Sequence, residues 1–268
     1  MIPPRGGRES GINEGLIGPS TGRPMPQIRL LPFASADGAA NMAADEVLLD
    51  AAAGGTASIR FYAWDSPTLS LGYFQPESAR RTDPRLASLP FVRRASGGST
   101  LVHDRELTYA LALPAGAPWQ RRGESWVCRM HQIIATALQK FGSAPCEFVG
   151  NTEKKLGDVL CFLHHTPGDV ILRGHKVVGS AQRKQRGAML QHGAILLAQS
   201  AHTPSLPGLL ELAGVSASMA ELSAAVLRAF GANTGWAVER GDWTLAERQR
   251  TQELAESKYS SREWNEKR

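Results

Sequence analysis

The stretch from Asp158 to Leu197, DVLCFLHHTPGDVILRGHKVVGSAQRKQRGAMLQHGAILL, decides the reading of this chain. Its short apolar runs, Val159 to Leu163, Asp169 to Arg173, Lys176 to Gly179 and Ala188 to Leu197, are broken by turn-forming residues and are predicted as strands. The pair Gly174-His175 between two of these runs is a hairpin signal. Within the stretch a thiol, Cys161, precedes a lysine, Lys176, that leaves this turn, and the small residues Gly179-Ser180-Ala181 follow at once. A nucleophile, a fixed cation and uncluttered backbone amides are the parts that acyl transfer needs.

Outward from there, strands are predicted at Ile28 to Leu31, Ser58 to Trp64, Thr68 to Phe74, Phe91 to Arg94 and Leu107 to Leu113. Asp65-Ser66-Pro67 is a turn sequence joining the second and third of these. Asn41 is expected to cap a helix from Met42 to about Ala53, stopped by Gly54-Gly55. Val127, Met130, Ile134, Leu138 and Phe141 recur at helical spacing before Gly142. Ser218-x-x-Glu221 and Thr244-x-x-Glu247 are capping-box patterns that open helices in the tail. Strands dominate the middle and helices are inserted and appended, so the class is α+β, with mixed and antiparallel sheets flanked by helices. The expected organisation is a disordered extension over residues 1–27, a catalytic domain over 28–215 and a helical segment over 216–268.

Composition narrows the function. A chain of 268 residues with 42% hydrophobic and 21% charged residues is ordinary for a globular protein and can bury a sizeable core. The net charge of +5 suits an acidic protein partner, but no Lys/Arg block stands out, which leaves nucleic acid a weak alternative. Three cysteines without a C-x-x-C pair argue against a disulfide framework and a structural zinc site, and fit a reducing cytoplasmic setting. No apolar run is long enough to span a membrane, and the start lacks the apolar core of a secretory signal.

Each candidate has an ordinary alternative. A cysteine in a strand is most often a small buried hydrophobe, yet Lys176, with His164 or His165, would favour a thiolate at Cys161. Cys128 and Cys146 lack such company and are read as structural. A lysine at a strand head is usually a solvated edge charge. Here Val177 to Ala181 suggest backbone turning inward, where the ammonium would meet an acyl carbonyl, a phosphate or an acyl-adenylate. The loop Arg93-Arg94-Ala95-Ser96-Gly97-Gly98-Ser99 forms a second pocket wall or a plain surface turn. His103 and Asp104, adjacent on a strand, point to opposite faces and are not expected to act together. His192, in Gln191-His192-Gly193, is pocket wall or a satisfied structural histidine. Gly174 to Gly179 is not a phosphate-binding loop, there is no G-x-S-x-G elbow, and Cys161 with His164-His165 lacks a fourth metal ligand, so no metal is expected.

Four blocks in order carry a resemblance: Asn41 to Glu46, Arg60 to Gln75, RRASGGSTLVHDRELTY over Arg93 to Tyr109, and Gly174 to Leu197. Together they resemble the biotin/lipoate A/B protein ligase family, and Lys258-Tyr259 to Trp264-Asn265 is similar to the tail of its octanoyltransferase branch. The resemblance implies the family's catalytic-domain fold. It implies Cys161 as nucleophile and Lys176 as the carbonyl-binding residue, with Arg94, Ser96, Gly97, Gly98, His103, Gly179, Ser180, Ala181 and His192 around the acyl group. Ser99 stands where the family loop commonly has a third glycine.

On this likeness octanoyl moves from acyl carrier protein through an acyl-cysteine to a lysine of a lipoyl domain. The acceptor would belong to a glycine-cleavage H protein or a 2-oxoacid dehydrogenase E2 subunit. No cofactor is then required. The alternative on the same fold is a lipoate–protein ligase using ATP and Mg2+, with Cys161 as packing. A third reading is a non-catalytic binder of lipoyl domains. A biotin ligase is disfavoured by the absence of a G-R-G-R loop.

Overall fold

The computed structural model describes residues 25–157 and 159–268. In chain order its principal elements are β1 (Gln27–Leu30), α1 (Gly38–Ala53), β2 (Ser58–Trp64), β3 (Thr68–Leu71), β4 (Phe91–Arg93), β5 (Leu101–His103) and β6 (Glu106–Leu113). They continue with α2 (Trp126–Gln139), β7 (Val170–Leu172), β8 (His175–Gln185), β9 (Ala188–Leu196), α3 (Met219–Thr234), β10 (Ala237–Arg240) and α4 (Leu245–Leu254). Nine strands form one mixed sheet in the order β10, β1, β2, β6, β9, β8, β7 and Glu147–Phe148, with Ala34–Ala36 paired to β2. The order β4, β3, β5 makes a separate three-stranded sheet. The α+β class is as read from the sequence.

Two tight turns set the register at the centre. Arg173 and Gly174 both have positive φ, at 49° and 81°, and so do Arg186 and Gly187, at 49° and 80°. That geometry twists with the flanking strands and gives two-residue hairpins, pairing Leu172 with His175 and Gln185 with Ala188. The turn is therefore Arg173-Gly174, one residue before the Gly174-His175 pair expected. His175 already belongs to β8.

The alternation along β6 explains the layers. Leu107, Tyr109, Leu111 and Leu113 face one side, where they meet Trp126, Met130, Ile133 and Leu138 of α2 and Leu222, Val226 and Phe230 of α3. Ala110 and Ala112 face the other side and let α1 come close with Leu48, Leu49 and Ala52. Both faces of β6 are thus buried, and all eight of its residues, Glu106 and Thr108 included, are shielded from solvent.

Several local expectations are corrected. Asp37, not Asn41, caps α1 by accepting from the Ala40 amide. Asn41 lies one turn inside, where its side-chain amide donates to the carbonyls of Ala36 and Ala63 and fastens the helix to two strands. β2 and β3 do not form a hairpin, because they enter different sheets. Cys161 is on a 3-10 turn, Cys161–Leu163, rather than in a strand. Residues 1–24 of the expected extension lie outside the described residues. In 216–268 both capping boxes are present, but β10 also adds a strand, parallel to β1.

A buried carboxylate ties α1 to the large sheet. Asp45 accepts from Arg60 at 2.7 Å, Tyr62 at 3.0 Å and His192 Nδ1 at 2.7 Å. Burial by itself would push this carboxyl up; Arg60 and His192 outweigh that and hold it below the usual aspartate value. Breaking a buried pair leaves its partner charge unmatched, so Asp45→Ala is expected to destabilise the fold by about 3–5 kcal/mol. Urea unfolding of the variant against the parent measures this as a lowered midpoint.

Candidate active site

Cys161 is held at the junction of the two sheets. Its amide donates to Thr100 O at 2.7 Å, Thr100 bridges to Leu160, and Leu163 N closes the 3-10 turn on Leu160 O. The opposing wall is the start of β8. Lys176 reaches across from it, and its ammonium lies 3.8 Å from the Cys161 sulfur, 3.3 Å from Cys161 O and 3.1 Å from His164 O.

That ammonium is almost fully buried and is paired at 2.6 Å with Asp169. Asp169 in turn accepts from the Thr166 amide and hydroxyl, at 2.7 and 3.0 Å. Sequence reading found the lysine but not its counter-ion. The signal was available: a buried ammonium requires a buried partner, and Asp169 immediately precedes the neighbouring strand of the same hairpin. The lysine side chain lies back over Gly179. A Cβ there would fall 2.4 Å from Lys176 Cε and 2.9 Å from Nζ. Glycine at 179 is the space that the lysine occupies.

Two cavities meet at Cys161. One, of about 470 Å³ and open to solvent on one side, is walled mainly by apolar surface, with Met42, Leu101, Phe162, Ala181, Tyr62, Thr108, His103 and His192 among its lining residues. The other, about 740 Å³ and more polar, brings Cys161 and Lys176 together with Gly97, Gly98, Ser180 and Ala181. Cys161, Gly98, Ser99, Ser180 and Ala181 line both. The first is mainly apolar, and the second brings the ammonium to the same cysteine.

Other expected residues are present with different tasks. Arg94 borders the apolar cavity, but its guanidinium is spent on Ser70 O, the Ser70 hydroxyl, Gly97 O and Ser99 O, so it shapes the loop. The Ser96 hydroxyl is bonded to His192 Nε2 at 2.5 Å and lies off the cavity wall. His192 links it onward to Asp45. His103 donates to Glu106, is bonded to Ser70 and stacks on Trp64, with ring centroids 3.7 Å apart. Gly98 needs its φ of 89°, and Gly72 needs to lack a side chain, since a Cβ on it would fall 1.8 Å from Gly98 O. His164 meets Lys176 through its carbonyl, while its ring is bonded to Glu153 at 3.3 Å. Cys128 is on α2, and Cys146 precedes the short strand Glu147–Phe148.

The Lipoyl protein ligase A/B catalytic domain profile matches residues 37–225. The chain belongs to the lipoyl protein ligase A/B family. Within this family it is similar to the octanoyltransferase LipM of Kyrpidia tusciae, 32% identical with 88% of this chain and 97% of the relative covered. It is likewise similar to LipM of Geobacillus kaustophilus, 32% identical over 85% of this chain and 94% of that one. Among solved structures, lipoate-protein ligase A bound with ATP superposes with a TM-score of 0.74 at 21% identity, covering 90% of this chain and 98% of the other. A bipartite lipoate protein ligase from Thermoplasma acidophilum superposes with a TM-score of 0.69 at 20% identity, covering 90% and 96%. At these identities the superpositions speak to the fold, which is that of the lipoate ligase catalytic domain.

One buried histidine beside Ser180 escaped the sequence reading. His131 on α2 is fully buried behind Ser180, and burial pushes its imidazole down to about 4. In the native state it is neutral over the range where the unfolded chain, at 6.5, takes up a proton. Its contribution to stability is present above pH 6.5 and is lost as pH falls toward 4, at up to roughly 1.4 kcal/mol per pH unit. Urea unfolding at about pH 7 and about pH 5 should therefore show a steeper loss in the parent than in His131→Asn. A second outcome concerns the lysine: Gly179→Ala, by displacing Lys176, is expected to lower turnover on the order of 10²-fold while leaving the far-ultraviolet circular dichroism unchanged.

Proposed function

We propose that Cys161 takes an octanoyl group from the thioester of acyl carrier protein, holds it as an acyl-cysteine, and gives it to a lysine of a lipoyl domain. The wider assignment, an octanoyltransferase of lipoate biosynthesis, is supported by LipM relatives 32% identical over most of both chains. The observation that carries the finer one is the position of the Cys161 sulfur. It borders an apolar cavity on one side and the Lys176 ammonium, 3.8 Å away, on the other.

In the first half-reaction the sulfur bonds to the acyl carbon and the carrier thiol leaves with a proton. Negative charge gathers on the carbonyl oxygen in each tetrahedral intermediate, and a fixed cation beside it lowers that barrier. Lys176 is suited to this because Asp169 and two carbonyls hold its ammonium in place. In the second half-reaction the acceptor amine bonds to the acyl carbon, the carbon–sulfur bond breaks, and the proton lost by the nitrogen ends on the Cys161 sulfur. Thioester to amide is downhill, so the cycle as proposed runs without nucleotide. The acceptor is a lipoyl domain, such as that of a glycine-cleavage H protein or a 2-oxoacid dehydrogenase E2.

Incubation with octanoyl-carrier protein and no nucleotide, followed by intact-mass measurement, is expected to give an octanoyl adduct that Cys161→Ala abolishes. Modification of a lipoyl domain from free lipoate and ATP that survives Cys161→Ala would favour ligase chemistry instead and overturn the proposal.

A further inference from the structure

The turn that follows β3, Gly72 to Gln75, packs on the loop that rims the polar cavity. Tyr73 N donates to Ser96 O at 2.8 Å, and a Cβ on Gly97, which lines that cavity, would fall 3.9 Å from the Phe74 ring. Phe74 is 71% exposed. One exposed phenylalanine is ordinary; its company is not. Three cations gather about the neighbouring Tyr73 ring: the Lys267 ammonium at 3.7 Å from its centroid, the Arg268 guanidinium at 5.3 Å and that of Arg183 at 6.0 Å. Lys267 also lies 3.3 Å from the Trp264 ring centroid, and Arg268 lies 5.4 Å from that of Phe74.

Among the described residues none of these three cations is in an ion pair, since Glu46 is taken by Lys258, Glu77 by Arg80 and Arg81, and Glu266 by Arg262. Partial burial, with Arg93, Lys258, Arg268 and Arg183 around it, pushes the Lys267 amine down to about 8. The fold holds the cluster in place. Arg93 Nε and Nη2 donate to Asn265 O, its amide donates to Asn265 Oδ1, and Trp264 Nε1 donates to Arg93 O. Arg93 Nη1 donates to Gly72 O and Gln75 O, so one buried guanidinium fixes both the turn and the segment that carries Lys267. Glu77 N donates to Arg268 O at 2.8 Å. Like charges held together without a counter-ion repel, and an anion seated among them removes that cost.

We propose that Phe74 with Arg183, Lys267 and Arg268 forms the docking surface for a carboxylate-rich face of the octanoyl-carrier protein; the inference rests on the acyl-cysteine reading above. None of Tyr73, Phe74, Lys267 and Arg268 lines either cavity at Cys161, whereas Gly97 does. A protein seated on this surface therefore stands outside the reaction site, one loop away from it. Of the two proteins in the reaction, the donor suits that position. Its thioester travels at the end of a long flexible arm, so its body docks beside the mouth while the arm reaches in. The acceptor's lysine has a short stem and must bring its own domain up to the sulfur. The cations steer and orient an acidic donor, and the Phe74 ring supplies the apolar contact at the centre of the patch.

The test reverses two of the charges, in the double variant Lys267→Glu/Arg268→Glu. Loading of Cys161 is timed by intact mass from three donors: octanoyl-carrier protein, octanoyl-phosphopantetheine and octanoyl-pantetheine. With carrier protein at low salt the second-order rate is expected to fall about 10-fold or more, and added salt narrows the gap by screening the parent's attraction. Loading from the two small donors, and discharge of loaded enzyme onto a glycine-cleavage H protein, fall by a far smaller factor. An unchanged rate with carrier protein overturns the inference. An equal fall with octanoyl-pantetheine also overturns it, as a sign of a disturbed site. A fall shared by octanoyl-phosphopantetheine but not octanoyl-pantetheine gives the cations to the phosphate of the arm, and slowed discharge onto the H protein gives the surface to the acceptor; either result overturns the inference too. Should the double variant not fold, Lys267→Gln/Arg268→Gln carries the same comparison with a smaller effect. A parent enzyme that loads Cys161 from none of the three donors refutes the acyl-cysteine reading itself, and the inference with it.

Discussion

One carboxylate, Asp45, holds the walls of the apolar cavity in register. It sits on α1 and collects Arg60 and Tyr62 from β2 and His192 from β9, and His192 passes the link to Ser96 in the loop between β4 and β5. Helix, sheet and loop are thereby fixed by bonds to a single buried group. The net contribution of such a cluster to stability is small, because its desolvation offsets most of the attraction. Its effect is geometric: the cluster is satisfied in one arrangement only, and Tyr62 and His192 are cavity walls in that arrangement. Arg94 makes the same point on the other side, holding four oxygens of its surroundings so that Gly97 and Gly98 face Cys161.

A second buried pair, Lys176 with Asp169, stands beside the Cys161 sulfur. A free lysine on a four-carbon stem would wander; here the carboxylate and the carbonyls of Cys161 and His164 take its protons, and glycine at 179 makes room for the stem. The consequence is a cation of fixed position and restrained charge beside the sulfur, in a site where bulk water does not screen it. The surroundings of the Cys161 thiol are thus organised by ion pairs and glycines.

The sequence was most informative where chemistry and local geometry coincide. Cys161, Lys176 and the glycine-rich loop each had an ordinary alternative, and the four blocks in order singled them out; the structure brings all three to one cavity. The capping boxes at Ser218 and Thr244 were readable because they need only residues three apart. Reading failed where the partner is distant. Asn41 has the side chain of a helix cap, yet its amide is claimed by Ala36 and Ala63, the second of which is 22 positions away. His131 reads as one more polar residue on an amphipathic helix, and only the packing of α2 beneath β8 gives it Ser180 as a neighbour.

The fold class, most of the strands and helices, the first Gly-containing turn to within one residue and the acyltransferase class were legible in the sequence alone, since periodicity, turn chemistry and motif order are local properties. Tertiary structure decided which groups are buried together: that Lys176 is answered by Asp169, that His192 joins Asp45 to Ser96, and that β2 and β3 part into separate sheets. The reason is physical. A charge or an amide buried far from water must find its complement in space, and spatial neighbours arise from the closing of the sheet, not from proximity along the chain.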